Sequence, residues 1–186
     1  SIMNIPSLER YLNSFGKQIV KQAKENLSAA DKKGALANSI DFFVIKKGGS
    51  ITVRFKMNSY GAFVDKGVSG TKTKRSYKDY KGKTKSSPFK YKAKQPPSGI
   101  IEKWIKKKGL KGRVDKNWKS AGNRGGQFIT HKSLSFLIAR SIKKKGMQGI
   151  SFFQKPLMLG MKQFSSKFGK AIADDIGNSL RQQKIA

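Results

Sequence analysis

Ile40-Asp41-Phe42-Phe43-Val44-Ile45-Lys46-Lys47-Gly48-Gly49-Ser50-Ile51-Thr52-Val53-Arg54-Phe55-Lys56-Met57 is the stretch that decides the fold. In its second half Ile51, Val53, Phe55 and Met57 alternate with Thr52, Arg54 and Lys56. That period of two describes a strand with one apolar and one solvated face. The first half, Ile40 to Ile45, is more uniformly apolar. Lys47-Gly48-Gly49-Ser50 between them supplies the glycines of a tight hairpin turn. Two strands alone are marginal in water, so the hairpin is expected at the centre of a small sheet, with Phe55 in the core and helices packed against it.

Helical patterns flank this hairpin. After Pro6, Ser7 reads as the N-cap of a helix to about Ala30, with Leu8, Tyr11, Leu12, Phe15, Ile19 and Leu27 along one stripe. Pro96-Pro97 opens a second helix, since proline is tolerated where an N–H lacks a partner anyway. Its inner face is expected to be Ile100, Ile101, Trp104 and Ile105, and its end Gly109 with Leu110 closing. A third helix is expected from Ser133 to Gly146, with Leu134, Leu137, Ile138 and Ile142 inward. Ile150-Ser151-Phe152-Phe153 reads as a short strand. Met161, Phe164, Phe168, Ile172, Ile176 and Leu180 then recur at helical spacing. The expectation is one α+β domain over residues 1–186, a small antiparallel sheet covered by N-terminal, middle and C-terminal helices.

Between these elements lie two stretches without period. Residues 68–95 are rich in Lys, Ser, Thr and Gly, with Tyr77, Tyr80, Phe89 and Tyr91 interspersed, and read as a long basic arm or loose hairpin ordered by partners. Residues 111–126 carry Trp118 and read as loop.

Charge bounds the partners. Lys and Arg number 41 against 10 Asp and Glu, a formal net charge of +31 over 186 residues, yet 37% of residues are hydrophobic. Such a chain can bury a core, but its surface repels itself unless something anionic offsets the charge. DNA, an acidic protein neighbour and an anionic membrane are the partners this implies. No apolar run reaches a membrane span, and the opening residues lack the basic and apolar regions of a secretory signal. Without cysteine, disulfides and thiolate metal sites are excluded. A soluble protein made inside the cell is the expectation.

Catalytic signals are weak. His131, the one histidine, has no companions for a metal site, and a surface or core role is favoured. The acids are dispersed; Asp174 and Asp175 are adjacent and point different ways on a helix, which reads as an ordinary polar face, so a metal-dependent nuclease is disfavoured. No phosphate-loop, dinucleotide, zinc-protease or serine-hydrolase pattern occurs. No enzyme, cofactor or metal is expected. In the basic arm, Lys72, Lys74, Arg75, Lys78, Lys81, Lys83 and Lys85 suit phosphates or an acidic neighbour, with Tyr77 and Tyr80 able to stack. Lysine in place of arginine argues for contact through charge, without base readout.

The order of motifs carries a resemblance. Leu36-Ala37-Asn38-Ser39-Ile40 leads into the hairpin, followed by Tyr60-Gly61-Ala62-Phe63-Val64-Asp65-Lys66-Gly67, by the Pro96 to Leu110 segment, by Leu134 to Gly146 and by Phe152-Phe153. Over about residues 8 to 180 this succession resembles the tail-completion and neck, or head–tail joining, proteins of tailed bacteriophages. The resemblance implies an α+β subunit that forms a homo-oligomeric ring in the virion neck. It would be assembled in the host cytoplasm against neighbouring connector and tail proteins, with nonspecific contact to DNA in the channel and none to membrane. It further implies structural or subunit-contact roles for Tyr60, Gly67, Trp104, Arg140 and Phe153. A nonspecific nucleic-acid-binding protein acting alone is the alternative, and a metal-dependent phage nuclease a third.

Overall fold

The computed structural model describes residues 4–185. Along the chain run α1 (Pro6–Ala29), α2 (Ala35–Ser39), β1 (Asp41–Lys47), β2 (Ser50–Lys56), α3 (Gly61–Lys66), β3 (Val68–Ser69), β4 (Ser76–Lys78) and β5 (Thr84–Ser86). They are followed by α4 (Ser98–Lys108), α5 (His131–Lys145), β6 (Gly146–Met147), α6 (Gln154–Lys162) and α7 (Phe164–Ile185). The fold is α+β. Length alone suggests one domain, whereas the tertiary contacts gather into two compact units. The first takes the chain to Lys66, then Tyr77–Lys85, then everything from Gly149; the second takes Gly67–Ser76 and Ser86–Gln148.

In the first unit β1 and β2 pair antiparallel in the register Phe42↔Phe55, Val44↔Val53 and Lys46↔Ile51. Gly48 and Gly49 turn the chain with φ of 58° and 79°, the left-handed values that a two-residue hairpin turn matching strand twist demands. The hairpin is the whole of its sheet. Val44, Ile51 and Val53 therefore pack on helices, against Leu8 and Leu12 of α1 and Ala171 of α7. Phe55 is half-buried, its ring edge-on to Phe153 at 5.2 Å. Phe43, in the apolar half, faces outward, because one face of a two-stranded sheet must meet solvent.

A second cluster joins Ala23 and Leu27 of α1 to Leu36, Ile40 and Phe152, all buried. Phe152 sits in a turn instead of the expected strand. Ser151 before it has φ 51°, a left-handed bend that no extended strand accommodates, and the strand in this region is β6.

The start of α1 corrects the sequence reading. Pro6 opens it, and Ser7 is inside the first turn. The free N–H groups of Ser7 and Leu8 donate to Asp175 of α7, at 2.9 and 3.0 Å. Asp175 is thus a buried cap for another helix, where an ordinary polar face was expected. Burial alone pushes its carboxyl upward, but donation from Leu8 and Ser7 outweighs this and holds it below the usual carboxylate range. A depressed folded-state pKa contributes stability above the unfolded value of about 4, lost as pH falls through the folded value. The stability difference between wild type and Asp175→Asn is therefore expected to be largest at neutral pH and to shrink toward pH 3 in urea unfolding.

In the second unit α4 and α5 pack through Ile101, Ile105 and Ala139, with Leu134, Ile138 and Ile142 around them. Helix α5 starts at His131, two residues before the expected Ser133, because the Thr130 hydroxyl oxygen accepts the Ser133 N–H at 3.2 Å. Gly109, at φ 63°, ends α4, and the Leu110 N–H returns to the Ile105 carbonyl at 3.1 Å. Ile100, Trp104 and Leu137, expected inside, are exposed. The buried positions of α5 are the small Ser135 and Ala139, which leaves the larger neighbours outside the contact.

Residues 67–76 and 86–94 do not hang as a free arm. Ser69 exchanges backbone hydrogen bonds with Phe89 and Tyr91, at 2.8 and 2.9 Å, and Thr71 and Lys72 donate to Lys143 and Lys144. A Cβ on Gly70 or Gly146 would overlap the facing backbone, so these glycines permit the close approach.

Candidate interaction surface

Ten acids must serve a chain of 41 cations, and three acids are withdrawn from the surface. Asp65, on α3, accepts the N–H groups of Phe153 and Gln154 at 2.9 and 3.3 Å and the Gln154 amide at 3.0 Å, holding the start of α6. Asp175 caps α1. Asp79 accepts the N–H groups of Lys81 and Lys83, both at 2.9 Å, and meets the Lys85 ammonium at 3.3 Å. Burial raises the Asp79 pKa, but these donors together bring it below the ordinary value. Donors of the same chain meet all three buried carboxylates, with Asp79 Oδ2 left to the Lys85 ammonium alone. No group of three or more His, Asp or Glu is placed to hold a metal among the described residues, and His131, half-buried, begins α5.

The basic residues singled out in the sequence divide between the units. Lys72, Lys74 and Arg75 belong to the second, and Lys78, Lys81, Lys83 and Lys85 to the first. Arg75 is anchored, its Nε donating to the Lys145 carbonyl at 2.9 Å. Lys85 is paired with Asp79, and Lys81 lies 5.6 Å from the ring of Tyr80. Lys72, Lys74, Lys78 and Lys83 are exposed. The hairpin tip that carries the latter two is tied down, since the Tyr80 N–H donates to Gln154 Oε1 at 3.0 Å.

The residues implicated by resemblance also separate. Gly67 has a left-handed φ of 76°, and the Phe153 ring lies beside Phe55. Tyr60, Trp104 and Arg140 are exposed. Other elements expose apolar side chains as well. Ile100 is 68% exposed and Phe136 50%. On α7, Ala171 and Asp175 face in, while Ile176 and Leu180, members of the apolar stripe read from the sequence, project outward, and Met161 of α6 is exposed too.

One surface was missed. Residues 111–126, read as loop, fold back on themselves together with Gln127, Phe128 and Ile129. Val114 donates to Gln127, Gly126 to Val114 and Ile129 to Gly112, each within 2.9 Å. A cleft of about 430 Å³ opens beside Arg113, Trp118, Arg124 and Phe128. The Arg113 guanidinium lies 3.8 Å from the Phe128 ring centre, and Arg124 lies 5.8 Å from Trp118. The available signal was basic and aromatic residues interspersed through a segment without helical or strand period.

No helix among the described residues is long and apolar enough to cross a membrane. Comparison with protein-family models, curated proteins and solved structures found no match.

Proposed function

We propose that this chain is a structural subunit of the head–tail junction of a tailed bacteriophage, joining copies of itself in a ring and meeting acidic connector or tail neighbours. The resemblance in motif order motivates this reading. The observation that carries it is the apolar surface left on α4, α5 and α7, where Ile100, Trp104, Phe136, Ile176 and Leu180 face solvent. In each unit, large apolar side chains left exposed on a helix that already buries another face support a contact role. In a ring, each such patch meets a different patch on the next subunit, and the rotation closes. The charge of +31 opposes self-association at low salt, so assembly should strengthen as salt screens it. Exposed lysines such as Lys72, Lys74 and Lys78 then serve acidic neighbours or DNA in the channel.

The role is non-enzymatic, in line with the three carboxylates committed to helix starts and a turn. The second reading, a nonspecific nucleic-acid-binding protein acting alone, draws on the lysine excess. Light scattering on the eluting protein separates the two. Ring assembly predicts a mass that is a multiple of 20.7 kDa and rises with salt. A monomer at every concentration and salt, with DNA binding intact, would favour the second.

A further inference from the structure

We propose that the cleft beside Trp118 and Phe128 binds a single strand of nucleic acid. The two rings would stack on bases, and Arg113 and Arg124 would meet phosphates. This holds for the isolated subunit and does not depend on ring assembly.

Four observations on the second unit converge. Trp118 is 53% exposed and Phe128 58%, so both rings offer π surface to solvent. Their arginines are pre-positioned: Arg113 Nη1 donates to the Gly126 carbonyl at 2.9 Å, and Arg124 donates to the Ala121 and Ser120 carbonyls at 3.2 Å. Those acceptors are neutral, so each guanidinium keeps its full positive charge for an incoming anion. The acid at the cleft, Asp115, accepts the Asn117 N–H at 2.8 Å and shapes its own turn. The volume of about 430 Å³ lies within the range of roughly 300–1,000 Å³ usual for small-ligand sites.

The chemistry selects among anionic partners. A duplex presents phosphates while its bases stay inside the stack, so it would use the arginines and leave the rings wet. An acidic protein segment would neutralise charge, but its carboxylates have no flat face to lay on an indole. An unpaired strand supplies both, and stacking tolerates any base because every base has a π face. Binding should therefore be indifferent to sequence and steeply weakened by salt.

The chain has two tryptophans, so Trp104→Phe leaves Trp118 as the sole indole reporter. Titration of that variant with an oligothymidylate of about 16 nucleotides, within known single-strand site sizes, should quench the indole. It should also bind more tightly than a duplex of equal length at equal salt. Adding Phe128→Ala, with Trp118→Ala in a parallel variant followed by the fluorescence anisotropy of a labelled oligonucleotide, should weaken single-strand binding by about tenfold or more and leave duplex binding unchanged. Both rings are exposed, so circular dichroism should show unaltered helix. Unfolding of one variant would shift the comparison to the other, and to Arg113→Ala, which removes the cation and leaves both rings. Equal affinity for strand and duplex, no quenching, or an equal loss for both ligands would overturn the proposal. So would polyglutamate that quenches Trp118 and displaces the oligonucleotide, which would assign the cleft to an acidic protein.

Discussion

Replacing Phe152 with alanine is expected to destabilise the first unit by about 3–5 kcal/mol, the usual cost of truncating a buried phenylalanine. Phe152 is 0% exposed. It shares a core cluster with Ala23 and Leu27 from α1 and with Leu36 and Ile40 before the hairpin, and Val64 and Ile150 pack against that cluster. These neighbours come from four separated stretches of chain, so none can close the cavity without disturbing another. The left-handed Ser151 fixes the entry of the ring and limits relaxation further. Urea unfolding at neutral pH measures the loss, and a cost below about 1 kcal/mol would remove Phe152 from the centre of the core.

A loss of similar size, about 3–5 kcal/mol, is expected for Asp65→Ala, since it strands buried donors at roughly 1–3 kcal/mol each. The Phe153 and Gln154 N–H groups belong to the unpaired start of α6, and the Gln154 amide would lose its anchor as well. The consequence reaches further along the chain. Gln154 Oε1 holds the Tyr80 N–H, so freeing the glutamine should release the tip of the basic hairpin. Hydrogen exchange at Tyr80 should accelerate in Asp65→Ala and change less in Asp65→Asn, which keeps one acceptor oxygen. Equal and small effects of the two substitutions would show that the carboxylate is not the anchor.

The elements with a strong local signal were legible in the sequence. The alternation from Ile51 to Met57 and the Gly48-Gly49 pair specify strand, turn and register together, because a one-residue slip would expose Val53 and Phe55. Gly109 and Leu110 announce the end of α4 through backbone chemistry that only the local sequence controls. Faces were less legible than elements. The stripe on α4 includes both Ile101 and Trp104, and hydrophobicity alone prefers the larger ring inside. Packing chose Ala139 as the contact instead, which placed Trp104 and Leu137 in solvent. The roles of Asp65 and Asp175 could not be read locally, since each caps a helix far away in the chain. The same reason hid the cleft: Arg113 and Phe128 are brought together by a loop that folds back through glycines, and no periodic pattern records that closure.

Composition had a different limit. Lysine density between Gly70 and Lys94 suggested a loose arm, yet lysine reports what a side chain does with solvent and not where its backbone goes. Gly70 and Gly146 allow two backbones to meet, and their hydrogen bonds order a segment with little apolar surface of its own. The charge bears on partners, as net charge does in general.

In the ring proposed above, subunits would join through the apolar faces of α4, α5 and α7. Electron microscopy of the purified protein at moderate salt tests it most directly, with Trp104→Glu and Leu180→Glu variants prepared alongside. End-on views should show one rotational symmetry around a central opening, lost in either variant while its helix content is kept. Particles of single-subunit size in the wild-type protein, or rings that persist unchanged in both variants, would contradict this ring.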